Sequence, residues 1–277
     1  MLALPLISPG PIALDLGFAQ IRWYGLMTAT ACLLSFYLAE KILKERSSSF
    51  NVEEFSNFVL VGVITGLIGA RTWFVLLNFS YFIENPMESF QIWLGGQSIQ
   101  GAIAGATIGC YLYYSFFQRK KLSPEELNAK PYTLQLACIA IVSPLGQAIG
   151  RWGNFFNEEA FGSVTTMPWG LYISHTGNYH HPTFLYEMIW NILVFTLLRN
   201  FHLKFSNTQC IAAYIGLDSF GRLLIEPIRT DSLYIGSVKA ASLIAITGIL
   251  IGLVLFIKNQ KLPPLVVSKK SLRKNDP

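Results

Sequence analysis

The 277-residue chain is 52% hydrophobic and only 13% charged, with a formal net charge of +5 and a mean hydropathy of +0.42. Soluble domains carry about a quarter charged residues, so an ordinary soluble domain is excluded and an all-α polytopic membrane protein is indicated. The basic pI near 9.0 does not signal nucleic acid, because the basic residues sit in short loops between apolar spans and read as topology signals.

The N-terminal run MLALPLISPGPIALDLG lacks a basic leading segment and is interrupted by Pro5, Pro9 and Pro11, so it does not read as a cleavable signal peptide. Seven spans follow, at about 22–40, 56–78, 98–117, 132–150, 183–199, 209–227 and 237–257. The loops after spans 1, 3 and 5 and the tail hold 15 of the 21 basic residues, all on one side. The positive-inside rule makes that side the cytoplasm, with the N-terminus outside and the C-terminus inside. The remaining six are Arg22, Arg71, Arg151, Arg222, Arg229 and Lys239. Five are arginines within spans or at their outer ends, where charge is costly and marks function by default. Arginine is also the side chain whose planar fork suits phosphate.

Span 1 opens Ile21-Arg22-Trp23-Tyr24-Gly25, which reads equally as an interfacial anchor or as part of a site. Span 2 carries Gly62, Gly66 and Ala70, and span 3 carries Gly101, Gly105 and Gly109. This small-xxx-small spacing predicts close packing of the two spans. Arg71, deep in span 2, requires a carboxylate, a phosphate or several carbonyls. Ser98 and Gln100 offer polar groups at the outer mouth of span 3. The outer loop holds His175, His180 and His181, but their spacing is poor for a metal and nothing completes a ligand set, so no metal site is expected. Glu187, early in span 5, reads either as a helix-dipole cap or, with Tyr186, as a site-lining residue. Arg222, Glu226 and Arg229 follow at i, i+4, i+7 and are expected to share a face despite Pro227, leaving one positive charge for an anion. The cysteines, Cys32, Cys110, Cys138 and Cys210, show no C-x-x-C spacing and read as packed free thiols.

The densest polar stretch is GRWGNFFNEEAFG, residues 150–162. If the preceding helix runs on, Arg151 and Asn154 share a face, with Glu158 and Glu159 near the same side. Gly146, Gly150 and Gly153 leave that surface thin enough for a backbone or a lipid headgroup. An arginine alone at a helix end would read as an interfacial anchor; its polar company argues for phosphodiester binding.

This stretch matches G-R-x-G-N-F-x-N-x-E-x-x-G and resembles the signature of the prolipoprotein diacylglyceryl transferases. Further similarity lies in IRWYGLM, GGQSIQG, HPTFLYE and GRLLIEPIR, so the resemblance covers nearly the whole chain. It implies one transmembrane transferase domain over residues 1–277, an outer loop at about 151–182 and a basic cytoplasmic tail at about 258–277. It implies a multi-pass protein of the bacterial inner membrane with its site toward the outer side. The implied reaction moves the diacylglyceryl group of phosphatidylglycerol to the lipobox cysteine thiol of a preprolipoprotein. A thioether forms, glycerol phosphate leaves, and no cofactor is needed. The implied catalytic residues are Arg151, Arg222, Asn154, Glu159 and Gln100. Arg151 would also bind phosphatidylglycerol, with Tyr24, Gly162, Glu226, Arg229 and His181. Gln100 departs from the histidine many members carry in G-G-x-x-x-H-G. Glutamine cannot serve as a base near neutral pH, which leaves His181, Glu159 or the field of the arginines to activate the thiol. A transporter and a lipid-binding, non-catalytic homologue are the rival readings.

Overall fold

A computed structural model of the chain describes residues 6–18, 20–47, 50–91, 95–124, 127 and 130–259. The basic tail beyond 259 lies outside the described residues. The fold is mostly helical, and its long helices fall on the expected spans: α1 (Trp23–Arg46), α2 (Val52–Leu77), α3 (Ile99–Tyr113), α4 (Pro131–Asn157), α5 (Thr183–Phe201), α6 (Asn207–Ile225) and α7 (Ala240–Lys258). Among the described residues, α1, α2, α4 and α7 are long and apolar enough to cross a membrane. The outward faces of α2 and α7 are rows of exposed leucine, isoleucine and valine, as contact with lipid requires, while α4 is the most buried of the four. The chain divides into two compact units, residues 47–135 and residues up to 46 together with those from 136 on.

In the 47–135 unit, α2 and α3 pack through the small-residue ridges. A Cβ on Gly105 would lie 2.3 Å from the Thr65 carbonyl oxygen, and one on Gly101 would lie 2.3 Å from the Gly69 carbonyl oxygen. The facing row on α2 is therefore chiefly Thr65 and Gly69, with Gly62 and Gly66 flanking it against Cys110 and Ala102. Arg71 is satisfied by carbonyls: its guanidinium donates to Ser89 O (2.9 Å), Gly95 O (2.7 Å), Gly96 O (3.0 Å) and Glu88 O. Gly95 and Gly96 both have positive φ (85° and 75°), a backbone that turns two successive carbonyls toward one cation and that L side chains rarely adopt. Gln100 begins α3, exposed, with Oε1 accepting from the Ser98 hydroxyl at 2.6 Å.

In the other unit, α1 lies against α4 where α4 is thin. Ser35 Oγ and the Tyr24 ring occupy the space that side chains at Gly146 and Gly153 would need, while Gly150 faces nothing within 4 Å. One end of this bundle is tied by buried Arg46, which donates to the carbonyls of His202 and Phe205 and to Asn207 Oδ1 (2.7 Å). Beside it Arg199 grips Glu45 with two bonds of 2.6 and 2.7 Å. The ends of α1 and α5, both assigned to one side by their basic residues, thus lie together.

The opposite end carries short strands that an all-helical reading omits. β1 (Leu6–Ile7) pairs in parallel with β4 (Leu171–Ile173), which pairs antiparallel with β5 (Asn178–His180). β2 (Ile12–Asp15) and β3 (Gln20–Arg22) form one ribbon, and β6 (Tyr234–Ile235) and β7 (Val238–Lys239) another. Leu171 and Ile173 of this cap pack with Phe155 of α4 and Phe184 of α5. Cys110, Cys138 and Cys210 are buried free thiols as expected, but Cys32 is exposed on α1, where its side of the helix faces away from the bundle.

Gly105→Val places two methyl groups and a Cβ into the Thr65 carbonyl, and overpacking of this kind costs about 1–3 kcal/mol. Thermal unfolding in detergent should show a clear loss for Gly105→Val and little change for Gly25→Ala, whose Cβ meets nothing within 4 Å.

Candidate active site

The site is built where the C-terminal end of α4, the first turns of α5 and the C-terminal end of α6 come together. α4 does not stop at 150 but runs through Asn157, so Arg151 and Asn154 do share a face. Arg151 Nη1 donates to Asn154 Oδ1 (3.3 Å), and Asn154 Nδ2 donates to Glu159 Oε1 (2.9 Å). The two glutamates do not continue the helix. Glu158 and Ala160 take positive φ values of 52° and 56°, a costly backbone for side-chain-bearing residues that is found where structure over-determines it. The turn separates the pair: Glu158 accepts from the Ser174 amide and hydroxyl, while Glu159 folds back onto Asn154.

Glu187 is the hub, and the dipole-cap reading of it does not hold. It is 5% exposed and pairs with Arg151 Nε (2.7 Å), Arg222 Nη1 (3.2 Å) and Arg229 Nη1 (3.0 Å), so three chain segments meet on one carboxylate. Arg222 also pairs with fully buried Glu226 at 2.8 Å, and Glu226 accepts from the Ser232 hydroxyl. α6 ends at Ile225, a 3-10 turn covers Glu226–Ile228, and Arg229 is extended. The i, i+4, i+7 residues therefore meet through the turn and through Glu187 rather than along one helical face.

Arg229 is clasped on its other side by Asp231, at 2.9 and 2.6 Å. The three guanidinium groups are thus matched by Glu187, Glu226 and Asp231, not left with the single surplus charge that spacing suggested. Openness sorts them: the Arg151 and Arg222 side chains are 28% and 32% exposed, against 5% for Arg229. Arg151 and Arg222 can meet an anion, and Arg229 stands behind them. Lys239 closes the turn by donating to the carbonyl oxygens of Glu226 (2.7 Å) and Arg229 (2.8 Å).

Gly162 is a close-approach residue. Its amide donates to His181 O (2.9 Å), its carbonyl accepts from His180 Nδ1 (2.7 Å), and a Cβ would lie 2.8 Å from the His181 Cβ. Both backbone groups are thereby occupied in joining the signature loop to the α5 entry and the Arg229 strand bridge. His181 Nδ1 lies 3.2 Å from the Tyr186 hydroxyl, which also accepts from Trp169 Nε1 at 2.9 Å. Tyr24 lays its ring on Gly153, two residues after Arg151, and Trp23 stacks on Phe156 at 4.7 Å. Gln100 belongs to the other compact unit. Sequence reasoning passed over Asp218, Asp231 and the central role of Glu187, although an acid within a span is itself a signal.

Arginines and carboxylates held together at one end of an apolar helical bundle define a membrane protein with a charged polar site. The family model of prolipoprotein diacylglyceryl transferase matches residues 11–258. A Trichormus variabilis phosphatidylglycerol–prolipoprotein diacylglyceryl transferase is 37% identical over 97% of this chain and 99% of its own length. Enzymes of the same name from Thermotoga petrophila (39% identity; 86% of this chain, 80% of the relative) and Clostridium botulinum (39%; 90% and 96%) are similarly related. The chain belongs to the prolipoprotein diacylglyceryl transferase family and is a transferase.

Burial opposes the charge on Asp231, but the Arg229 guanidinium bound to both its oxygens outweighs this and holds the carboxyl below its ordinary value of 3.8. The stability this gives is complete above that value and is lost as pH falls through the lower folded value. Asp231→Asn should remove that part of the acid-induced loss of stability, measured as thermal midpoint against pH from neutrality down to about 3.

Proposed function

We propose that this chain transfers the diacylglyceryl group of phosphatidylglycerol to the lipobox cysteine thiol of a bacterial preprolipoprotein, forming a thioether and releasing glycerol phosphate. The observation that carries this is the pair of half-open arginines, Arg151 and Arg222, held side by side on Glu187. A thiolate displaces a phosphate monoester from the glycerol carbon, and the growing charge on the leaving oxygens calls for fixed cationic donors. Arg151 and Arg222 supply them without a metal or cofactor.

The other residues take roles that fit their surroundings. Asn154 and Glu159 orient Arg151 by the hydrogen-bonded chain described above, and Glu226 orients Arg222. Arg229 braces Glu187 from behind. Tyr24 lines the site over Gly153, Gly162 fastens the loop, and His181 with Tyr186 borders the site at the α5 entry. Gln100, at the outer mouth of α3, orients a headgroup by hydrogen bonding rather than acting as a base.

The helices α1–α7 are read as seven membrane spans in one transferase domain over residues 1–277, with an outer loop at about 151–182. The N-terminus is outside and the tail from about 258 is cytoplasmic, in keeping with the basic residues gathered at the Arg46–Arg199 end. On that reading the arginine cluster lies at the outer side of the bacterial inner membrane, where secreted preprolipoproteins and phosphatidylglycerol both arrive.

Transfer of labelled diacylglycerol from phosphatidylglycerol to a lipobox peptide should be active with the native protein. It should fall by about 10²–10³-fold in Arg151→Ala or Arg222→Ala, the cost of removing a preorganised donor. Full activity in either folded variant would remove that arginine from the reaction. Native activity would also show that a histidine at position 100 is dispensable.

A further inference from the structure

Below the arginine cluster, α4 and α6 face each other with a polar ladder. α4 contributes Ser143, Gln147 and Arg151 at four-residue steps, and α6 contributes Tyr214, Asp218 and Arg222. Gln147 Nε2 donates to the Tyr214 hydroxyl at 3.1 Å. Asp218 lies within hydrogen-bonding reach of Gln147 and feels the charges of Arg151 on α4, Glu187 on α5 and Arg222 on its own helix. Tyr214 also faces Ser143.

Two features set this ladder apart from the arginine cluster. Glu187, Glu226 and Asp231 each form ion pairs at 3.2 Å or less. Among the described residues Asp218 forms none, although it is partly buried. Next to it, Gln147 Oε1 is buried with no hydrogen-bond partner. A buried acceptor without a donor costs free energy, and here one stands beside a carboxylate that has no cationic ion-pair partner. They are matched to something that brings a proton.

We infer that Asp218 is the proton acceptor for the nucleophilic thiol, with Gln147 Oε1 as a second acceptor that steers the S–H toward it; this rests on the transferase reading. Depth decides between the donors available. Asp218 is one helical turn, about 5.4 Å, farther from the α6 terminus than Arg222, and so deeper in the bundle. A phospholipid phosphate held at Arg222 places its headgroup outward and its acylated glycerol inward. The inner side is the side of the carbon under attack, so the group arriving opposite Asp218 is the thiol, not a headgroup hydroxyl.

The step balances without a co-reactant. The S–H bond breaks and its proton passes to an Asp218 carboxylate oxygen while sulfur bonds to the glycerol carbon. The carbon–oxygen bond to phosphate breaks, its electron pair going to the phosphate oxygen held by Arg151 and Arg222. The proton on Asp218 then passes up one turn to that leaving phosphate. This assigns to a carboxylate the base that Gln100 cannot supply.

The test compares a cysteine lipobox peptide with its selenocysteine analogue, whose selenol is ionised at neutral pH and needs no base. With Asp218→Asn, transfer to the thiol should fall by about 10²-fold at pH 7. It should recover about tenfold per pH unit as pH rises toward the thiol's own value near 8.5, while transfer to the selenol stays near native. Unchanged thiol transfer, or an equal loss for both nucleophiles at every pH, would overturn the assignment. Asp218→Glu, with its carboxylate on a longer arm, is the second variant and keeps the test decisive if the asparagine protein fails to fold. It should retain the thiol reaction; a folded glutamate variant that loses thiol and selenol transfer alike also overturns it. Native transfer from phosphatidylglycerol in the same assay tests the transferase reading separately.

Discussion

The structure depends on the carboxylate of Glu187. A buried charge is tolerated only when paired and hydrogen-bonded, and removing one partner from such a group leaves the other uncompensated. Glu187 meets that condition for three arginines from three parts of the chain. Each of those segments is held in place by its charge as much as by its apolar packing. Because an arginine fork has fixed geometry, the carboxylate sets where each guanidinium lies before any substrate arrives.

The rest of the unit serves that arrangement. α1 presses the Tyr24 ring into the gap at Gly153, and Trp23 stacks on Phe156, fixing the end of α4 that carries Arg151. The cap strands and the Phe155, Leu171, Ile173 and Phe184 cluster hold the loop after α4 against the start of α5. Gly162 lets that loop approach His181 and Ile228 closely. Lys239 and Asp231 secure the turn after α6. The strained residues Glu158 and Ala160 sit where α4 gives way to this loop, and the strain is repaid by sending Glu158 to Ser174 and Glu159 to Asn154.

Much of this was readable beforehand, for identifiable reasons. Apolar runs locate the long helices, because lipid-facing helices need unbroken apolar surface, although α1 and α4 run on six and seven residues past their expected ends. Gly101, Gly105 and Gly109 announce a close α2–α3 contact, and the signature stretch with GRLLIEPIR announces the family. Pairwise spacing along one helix, however, cannot show a partner on another. Arg222, Glu226 and Arg229 do converge, yet through a 3-10 turn and Glu187. Glu187 itself looked like a helix-start acid because only its own helix was in view. Asp218 has no local motif, so only its cost within a span could have marked it. Strands of two to four residues are too short to show an alternating pattern, and an all-helical reading misses them.

The proposed chemistry requires Glu187 to preset the arginines for the transition state. The most direct test is the kcat/KM of transfer from phosphatidylglycerol in Glu187→Gln, which keeps the side-chain shape and removes the charge that holds three guanidinium groups. Displacement of the arginines by about an ångström should lower kcat/KM by about 10²-fold in a protein that remains folded. A folded Glu187→Gln protein with native or higher kcat/KM would contradict the claim, and would mean that the arginines find the phosphate without it.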